Sequence, residues 1–349
     1  MYMYRIYYVE CFLHAAQSFS TIILALDGFF NVLGTFEHSP REITMSSVTL
    51  PTRYVTIEEE FKRNLELKMS DLQMLKDWTD KQPHLPKIEM FYFVLFLHSN
   101  YYRLESTKKT IDNFFTSRTH MPEVFSNRDP IAWKELRKAF TVVAAVPLEQ
   151  KIKKEYIMTF GKFLDPDPSK FDYLECIKYF FMTCEVQNLI RGTNEGLIVI
   201  IDASGLSFAH IARLNLMNLK KIVYYIQEAS PIRLKAIHIF NTGPIIDTLL
   251  NMIKPFAKAE LLELMHFHSS LETAQKFLPI ESLPNEYGGK AGSIEEIVTK
   301  HIKLLEEFRE WFQYDELVGR VNESLRVDKC QNTENLFGVD GSFKRLEID

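Results

Sequence analysis

Hydrophobic and polar positions follow two different periods along this chain, and the change falls near residue 139. From Ile57 to about Phe125, apolar residues recur at spacings of three and four. Leu65, Leu72, Leu75 and Trp78 form one run, which Pro83 and Pro86 break. Ile88, Phe91 and Leu95 lie on the inner face of a second, from about Lys87 to Leu97, and Ile111, Phe114 and Phe115 mark a third over 106–119. Such spacing predicts helices. The segment therefore reads as a small domain of three to four helices that buries one face against something larger. Asn127, Asp129 and Pro130 turn the chain into a linker.

Beyond the linker, residues 139–164 alternate weakly, and TVVAAV (141–146) and EYIMTFGKF (155–163) read as strands. Asp165-Pro166-Asp167-Pro168 is a turn and helix-start signal. The helix expected next, Phe171–Arg191, carries an apolar stripe of Leu174, Ile177, Phe180, Phe181 and Cys184, and Gly192 and Asn194 end it. Ile198–Ile201 then run unbroken into Asp202, with Gly205 closing a turn. A helical stretch from His210 to Glu228 and a second apolar run, AIHIF (236–240), complete a βαβ unit with a right-handed crossover. An unbroken apolar strand implies burial on both faces, as in a parallel sheet covered by helices. In the crossover, Ile211, Leu214, Ile222, Tyr225 and Ile226 face inward, and Pro231 stops the helix after Ser230.

After Asn241-Thr242-Gly243-Pro244, a short helix places Ile245, Ile246, Leu249, Leu250 and Ile253 on one side, and Lys254-Pro255-Phe256 ends it. Hinged at Gly243 and Pro255, it is able to open and close over a pocket, although an ordinary packed helix has the same periodicity. LELMHFH (262–268) reads as a further strand, and Leu283–Gly289 as a turn-rich exit.

Composition narrows the class. A length of 349 residues allows two or three domains, or one large domain with extensions. Hydrophobic residues at 46% and charged residues at 25% describe a globular chain with a sizeable core. A net charge of −5 argues against nucleic acid as a main partner. The 27 phenylalanines and 15 tyrosines supply material to line an apolar cavity. Cys11, Cys176, Cys184 and Cys330 form no CxxC pair, so a reduced, cytosolic protein without a disulfide framework is expected. Cys176 and Cys184 read as small core residues on one helix. Residues 1–44 read as an extension of unknown role before a fold that starts near Met45. Their apolar run, Phe19–Phe36, is broken by Asp27, Gly28 and Asn31 and lacks the length of a clean spanning helix; a signal-like leader is the alternative reading, which Glu10, His14 and the lack of a clear cleavage site fit poorly.

Candidate chemistry is sparse. His266 and His268, two apart on a strand, point to one face as paired metal ligands do, but no cysteine or carboxylate accompanies them at ligand spacing. Ser204 lies near Asp202 and His210, yet no G-x-S-x-G elbow is present. Neither G-x-G-x-x-G after the opening strand nor G-x-x-x-x-G-K-[ST] occurs. The sequence thus assigns no catalytic residue, metal site or cofactor, and a sheet without these is free to serve as the floor of a cavity.

The order of motifs resembles the CRAL-TRIO (Sec14-like) lipid-transfer family, nearest its α-tocopherol-transfer-protein-like and retinaldehyde-binding-protein-like branch. The matching elements are Gly196 with IVIIDASG, Pro231 with Arg233 and Lys235, His238 and Asn241, and Met252-Ile253-Lys254-Pro255-Phe256. His266 and His268, Leu283-Pro284, and Glu286-Tyr287-Gly288-Gly289 follow in order. The tail LFGVDGSFKRLEID (336–349) is similar to the C-terminus of arthropod members.

The resemblance implies an α/β (α+β) protein: an N-terminal helical domain over 45–126, and a mixed sheet flanked by helices over 139–300. A C-terminal helix and tail would occupy 301–349. The sheet and an amphipathic gate helix would enclose one lipid. By position, the floor would be Leu197, Val199, Ile201, Ile237 and Ile239. The walls would be Ile177, Phe180, Phe181, Ile222, Tyr225, Ile226 and Leu234, and the gate Ile245, Ile246, Leu249, Leu250 and Ile253. The implied function is a non-enzymatic carrier of a tocopherol, retinoid such as retinal, or similar lipid. It would be cytoplasmic, monomeric and transiently peripheral at membranes, with no cofactor other than the lipid.

The same branch binds a phosphoinositide headgroup such as phosphatidylinositol bisphosphate in a basic cleft, and Arg233 and Lys235 fill two of its places. Other basic places read Glu260, Leu262 and Leu264, and the helical domain's arginines read Leu95, His98 and Asn100. A polyphosphate site needs several converging cations. The alternative implied function is a membrane-docked trafficking or signalling adaptor that reads phosphoinositide.

Overall fold

A computed structural model describes residues 55–152 and 156–327, all within one unit, Val48–Asp349. The extension 1–44, Cys11, Cys330 and the tail 336–349 lie outside the described residues. The helical part opens with α1 (Ile57–Arg63), α2 (Met69–Thr79), α3 (Met90–Ser99), α4 (Leu104–His120) and a short α5 (Pro122–Phe125). Thr56 caps α1: it accepts the Glu59 N–H, while the Glu59 carboxylate reaches back to the Thr56 N–H. Leu72, Phe96, Ile111 and Phe125 anchor the core that these helices share.

Two expectations for this region change. Leu65 lies in the turn between α1 and α2, 93% exposed, and Leu67 is buried in its place. The second run becomes helical only at Met90, after an extended Glu89, so Ile88 packs from outside the helix.

α6 (Lys134–Val142) follows the linker and runs directly into β1 (Val143–Ile152). Thr141 and Val142, expected as strand, therefore finish a helix whose buried Leu136, Ala139 and Phe140 recur at helical spacing. β1 pairs antiparallel with β2 (Tyr156–Phe163). β2, β3 (Leu197–Asp202), β4 (Leu234–Phe240) and β5 (Met265–Phe267) are then parallel in that order, giving a mixed five-stranded sheet. β5 is shorter than LELMHFH suggested, because Leu262 and Glu263 end helix α11 (Ala259–Glu263).

Alternation along the strands sends side chains to two different cores. Ile198, Ile200, Phe160 and Phe240 face one side and pack with Leu278, Leu283 and Val298. On that side lies α13 (Ile294–Glu307), and α14 (Arg309–Val318) follows it in the chain. Leu197, Val199, Ile201 and Ile237 face the other side, toward α7 (Tyr173–Arg191). Both faces are covered, which is why β3 carries no polar residue before Asp202.

α7 starts on Asp172, whose carboxylate accepts the Leu174 and Glu175 N–H groups. It is buried on several sides because it lies between the sheet and the helical part. A largely buried ion cluster fastens it there: Arg118 and Arg128 each pair with both Glu185 and Asp315, drawing α4, α7 and α14 together. Burial pushes the Asp315 carboxyl up, but Arg118 and Arg128 overcome this and hold it below the usual carboxylate range.

The crossover is not one helix. α8 (Phe208–Ile211) ends in a turn, α9 (Leu216–Tyr224) restarts under an Asn215 cap, and a π-helical turn, Tyr225–Ala229, leads to Ser230. α10 (Ile245–Ile253) and α11 connect β4 to β5, and the short α12 (Leu271–Ala274) follows. Among the described residues no helix is long and apolar enough to cross a membrane.

Candidate functional site

Between the α7-facing side of the sheet and the helices above it lies a cavity of about 420 Å³, within the size range of small-molecule sites. Its floor is set by strand register. Thr159, Val199 and Ile237 lie side by side, as do Gly161, Ile201 and Ile239 one step further on, and all six line the cavity with Leu197 and Leu234. Ile177, Phe180 and Phe181 of α7 form one wall, Ile226 of the π-helical turn another, and Ile246 and Leu249 of α10 close a side.

The remaining residues expected at the site lie elsewhere. Ile222 and Tyr225 are buried in the helical part's core, where the Tyr225 ring packs 4.8 Å from Phe125 and 4.9 Å from Phe181. The broken crossover resets the helix phase, and the π-helical turn widens the spiral, so Ile211, Leu214, Leu219 and Ile226 reach the cavity from the crossover while Ile222 and Tyr225 do not. On α10, Ile245 and Leu250 are half-buried away from the cavity, and Ile253 packs with Leu219, Val223 and Leu261.

Sequence reasoning missed the far wall. Val143 and Ala145 of β1, Thr159 and Gly161 of β2, and Phe163 and Phe171 beyond them all line the cavity. Their signal is smallness rather than hydrophobicity: Ala145 and Gly161 face each other across the β1–β2 ladder and leave room above it. Cys176 also lines the cavity while Cys184 is core, and both are free thiols that burial pushes far above their ordinary pKa.

Polar groups near the cavity are mostly occupied. Asp202 accepts the Ser204 N–H at 2.9 Å, the Asn241 amide at 2.8 Å and the Tyr287 hydroxyl at 2.6 Å. Burial pushes its carboxyl up, but these donors hold it below the usual range. Ser204 Oγ accepts from Asn241, and His210 is bonded to Ser207, so Ser204 and His210 do not form a nucleophile–base pair.

At the mouth of the segment spanned by α10, the Gln227 side chain works as a clasp. Its amide donates to the Phe256 carbonyl and its oxygen accepts the Lys258 N–H, both at 3.0 Å. Lys258 and Lys109 both pair with the adjacent Glu228.

Arg233 and Lys235 are engaged by the turn after α3. Arg233 Nε donates to the His98 carbonyl at 2.8 Å, and its guanidinium lies 4.3 Å from the Tyr101 ring. Lys235 donates to the Tyr101 hydroxyl at 3.2 Å. On the opposite face of the sheet, His238, His266 and His268 stack with Phe277, and His238 Nδ1 lies 3.0 Å from His268 Nε2. Stacked rings do not converge on one point, and among the described residues no cluster has the makings of a metal site.

An apolar cavity on a mixed sheet, closed on one side by α10, has the size and lining of a small-molecule site. This chain matches the CRAL/TRIO domain over residues 148–289 and the Pinta-like UBA domain over residues 64–134. It is similar to "Alpha-tocopherol transfer protein-like" of Homo sapiens, 26% identical over 254 residues that cover 71% of this chain and 73% of the relative. It is also similar to "Clavesin-1" of Mus musculus, 24% identical over 67% of this chain and 68% of the relative. Among solved structures, the crystal structure of Sfh5 matches with a TM-score of 0.44 at 12% identity, covering 74% of this chain and 96% of that one.

Proposed function

We propose that this chain carries one small hydrophobic molecule in the cavity over β2–β4 and exchanges it at membrane surfaces. The observation that supports this most directly is the wall itself: floor, α7 and α10 present aliphatic and aromatic side chains to a space of about 420 Å³. Water gains little in such a space, whereas each buried methylene of a cargo contributes about 0.8 kcal/mol. A tocopherol, a retinoid or a lipid of that size is the class of cargo this favours, and the name of the human relative points the same way.

α10 is the part able to act as a gate. Of its residues only Ile246 is buried, so few contacts hold it shut. Opening at a bilayer would let cargo pass between two apolar phases, and closure would exclude water. A peripheral, cytoplasmic carrier without catalytic activity fits this arrangement. A phosphoinositide-reading adaptor fits it less well, because Arg233 and Lys235 already serve the Tyr101 turn.

Native mass spectrometry of the purified full chain tests the reading. The expected result is a one-to-one complex with an apolar molecule of a few hundred daltons that organic extraction removes. A chain that is always empty, and that takes up no tocopherol, retinal or fatty acyl probe from vesicles, would overturn it.

A further inference from the structure

His210 lines the cavity but is unlike its neighbours there. Its side chain is 1% exposed, and its ring lies 4.7 Å from Phe163 and 5.2 Å from Phe171, which line the same space. The ring's position is fixed from the other side. Ser207 opens α8, and His210 Nδ1 accepts the Ser207 N–H at 3.1 Å and sits 2.7 Å from Ser207 Oγ. A ring nitrogen that accepts a backbone N–H carries no proton, so the neutral imidazole holds its proton on Nε2. Nε2 is buried and has no hydrogen-bond partner. Burial, with the nearby Arg213 cation, lowers the pKa of His210 and keeps the ring neutral at pH 7; Asp167 opposes this more weakly.

Other polar side chains at this end are engaged within the protein, the Lys162 ammonium over the Tyr287 ring at 5.6 Å among them. Asp202 is filled by Ser204, Asn241 and Tyr287, and Tyr173 Oη exchanges hydrogen bonds with the Asn215 backbone. An orphaned buried donor is costly and is rare in folded proteins unless something absent from the free protein satisfies it.

We propose that His210 is the specificity-determining donor of this cavity, its Nε2–H bonding to an acceptor oxygen on the cargo. The cargo is then a hydrophobic molecule with a carbonyl, ether or hydroxyl oxygen at the end that meets Phe163 and Phe171, not a plain hydrocarbon. This rests on the cavity being the cargo site, and it adds which end of the cargo enters first and what that end must carry.

Two chains of matched length test it, 2-hexadecanone and hexadecane, each displacing the hydrocarbon fluorophore diphenylhexatriene from the delipidated full chain. The ketone should bind about five- to tenfold more tightly, the worth of one buried hydrogen bond. In His210→Phe that ratio should fall to about one, and His210→Gln, which keeps a donor, should recover part of it. In the wild-type chain the ¹⁵N resonance of His210 Nε2 should move with the ketone and stay still with the alkane, a readout that does not depend on any variant folding. Equal affinities in the wild type, or a ratio unchanged in His210→Phe, would overturn the proposal. Failure of the cavity reading looks different: diphenylhexatriene would not bind at all, or would bind as well when Gly161 is replaced by leucine.

Discussion

Gly161 stands beside Ile201 in the β2–β3 register, and a methyl group built on it would meet nothing closer than the Ala144 carbonyl at 3.6 Å. The glycine is therefore not needed for its backbone; its missing side chain leaves space above the floor. Gly161→Leu would place four carbons in the cavity without forcing the strand. We expect apolar ligand affinity to fall at least tenfold while the melting temperature changes by only a few degrees, because a filled void offsets the strain of a larger side chain. Fluorescent-ligand titration beside a thermal melt checks both halves, and retained affinity would move the cargo site elsewhere.

The Gln227 clasp holds the chain just after α10 to the crossover by two hydrogen bonds of 3.0 Å. Gln227→Ala removes both without touching the cavity wall. Cargo release to acceptor vesicles should quicken about three- to tenfold, with equilibrium affinity changed far less, as expected where opening and not binding limits exchange. Stopped-flow transfer of a fluorescent lipid measures this, and an unaltered release rate would place the moving part elsewhere.

Histidine burial gives stability a pH dependence of known sign. Burial, aided by His266 and His268, lowers His238 to about 4. His301 is held at about 3 by burial, and His98 at about 3 by burial with Arg233 and Lys235. The folded chain keeps these rings neutral, whereas the unfolded chain takes up protons below about pH 6.5. Stability should be level above that pH and fall progressively toward pH 4. His238→Phe, which preserves the stack on Phe277, should flatten the decline by at most about 1.4 kcal/mol per pH unit. Denaturant unfolding at pH 7.5, 6.0 and 5.0 gives the slope; an unchanged slope would mean that His238 is already charged when folded.

Arg233 and Lys235 should behave as structural cations. Arg233→Ala loses the bond to His98 and the stack on Tyr101, and should destabilise the fold by about 1–3 kcal/mol. Flotation of the wild-type chain with vesicles containing or lacking phosphatidylinositol bisphosphate should differ by less than twofold. A strong headgroup-dependent enrichment that Arg233→Ala/Lys235→Ala abolishes would instead favour the adaptor reading.

The floor of the cavity was legible in the sequence because β3 and β4 alternate cleanly: Leu197, Val199, Ile201, Ile237 and Ile239 share a face by parity alone. The helix proposed as the gate was legible from apolar residues at spacings of three and four, but only Ile246 and Leu249 of its apolar side turn to the cavity. What escaped depended on breaks in periodicity. Ile222 and Tyr225 could not be phased through the turn before Asn215 and the π-helical widening after Tyr224. The wall of Ala145, Thr159 and Gly161 is made of residues that a search for large apolar side chains passes over. His210 looked like part of a possible reactive group with Ser204, and only the Ser207 cap reveals which of its nitrogens carries the proton.

Asp202 has a further consequence at the end of β3. A slip of one residue would exchange the two faces of the strand, sending Ile198 and Ile200 toward the cavity and swinging the Asp202 carboxylate away from its donors. Nothing in the aliphatic run 197–201 prevents that exchange, since either set of side chains suits either core. The hydrogen bonds from Ser204, Asn241 and Tyr287 do, because they are satisfied in one alignment only. The carboxylate is a frame marker: it tells a strand of interchangeable residues which of them will meet the cargo.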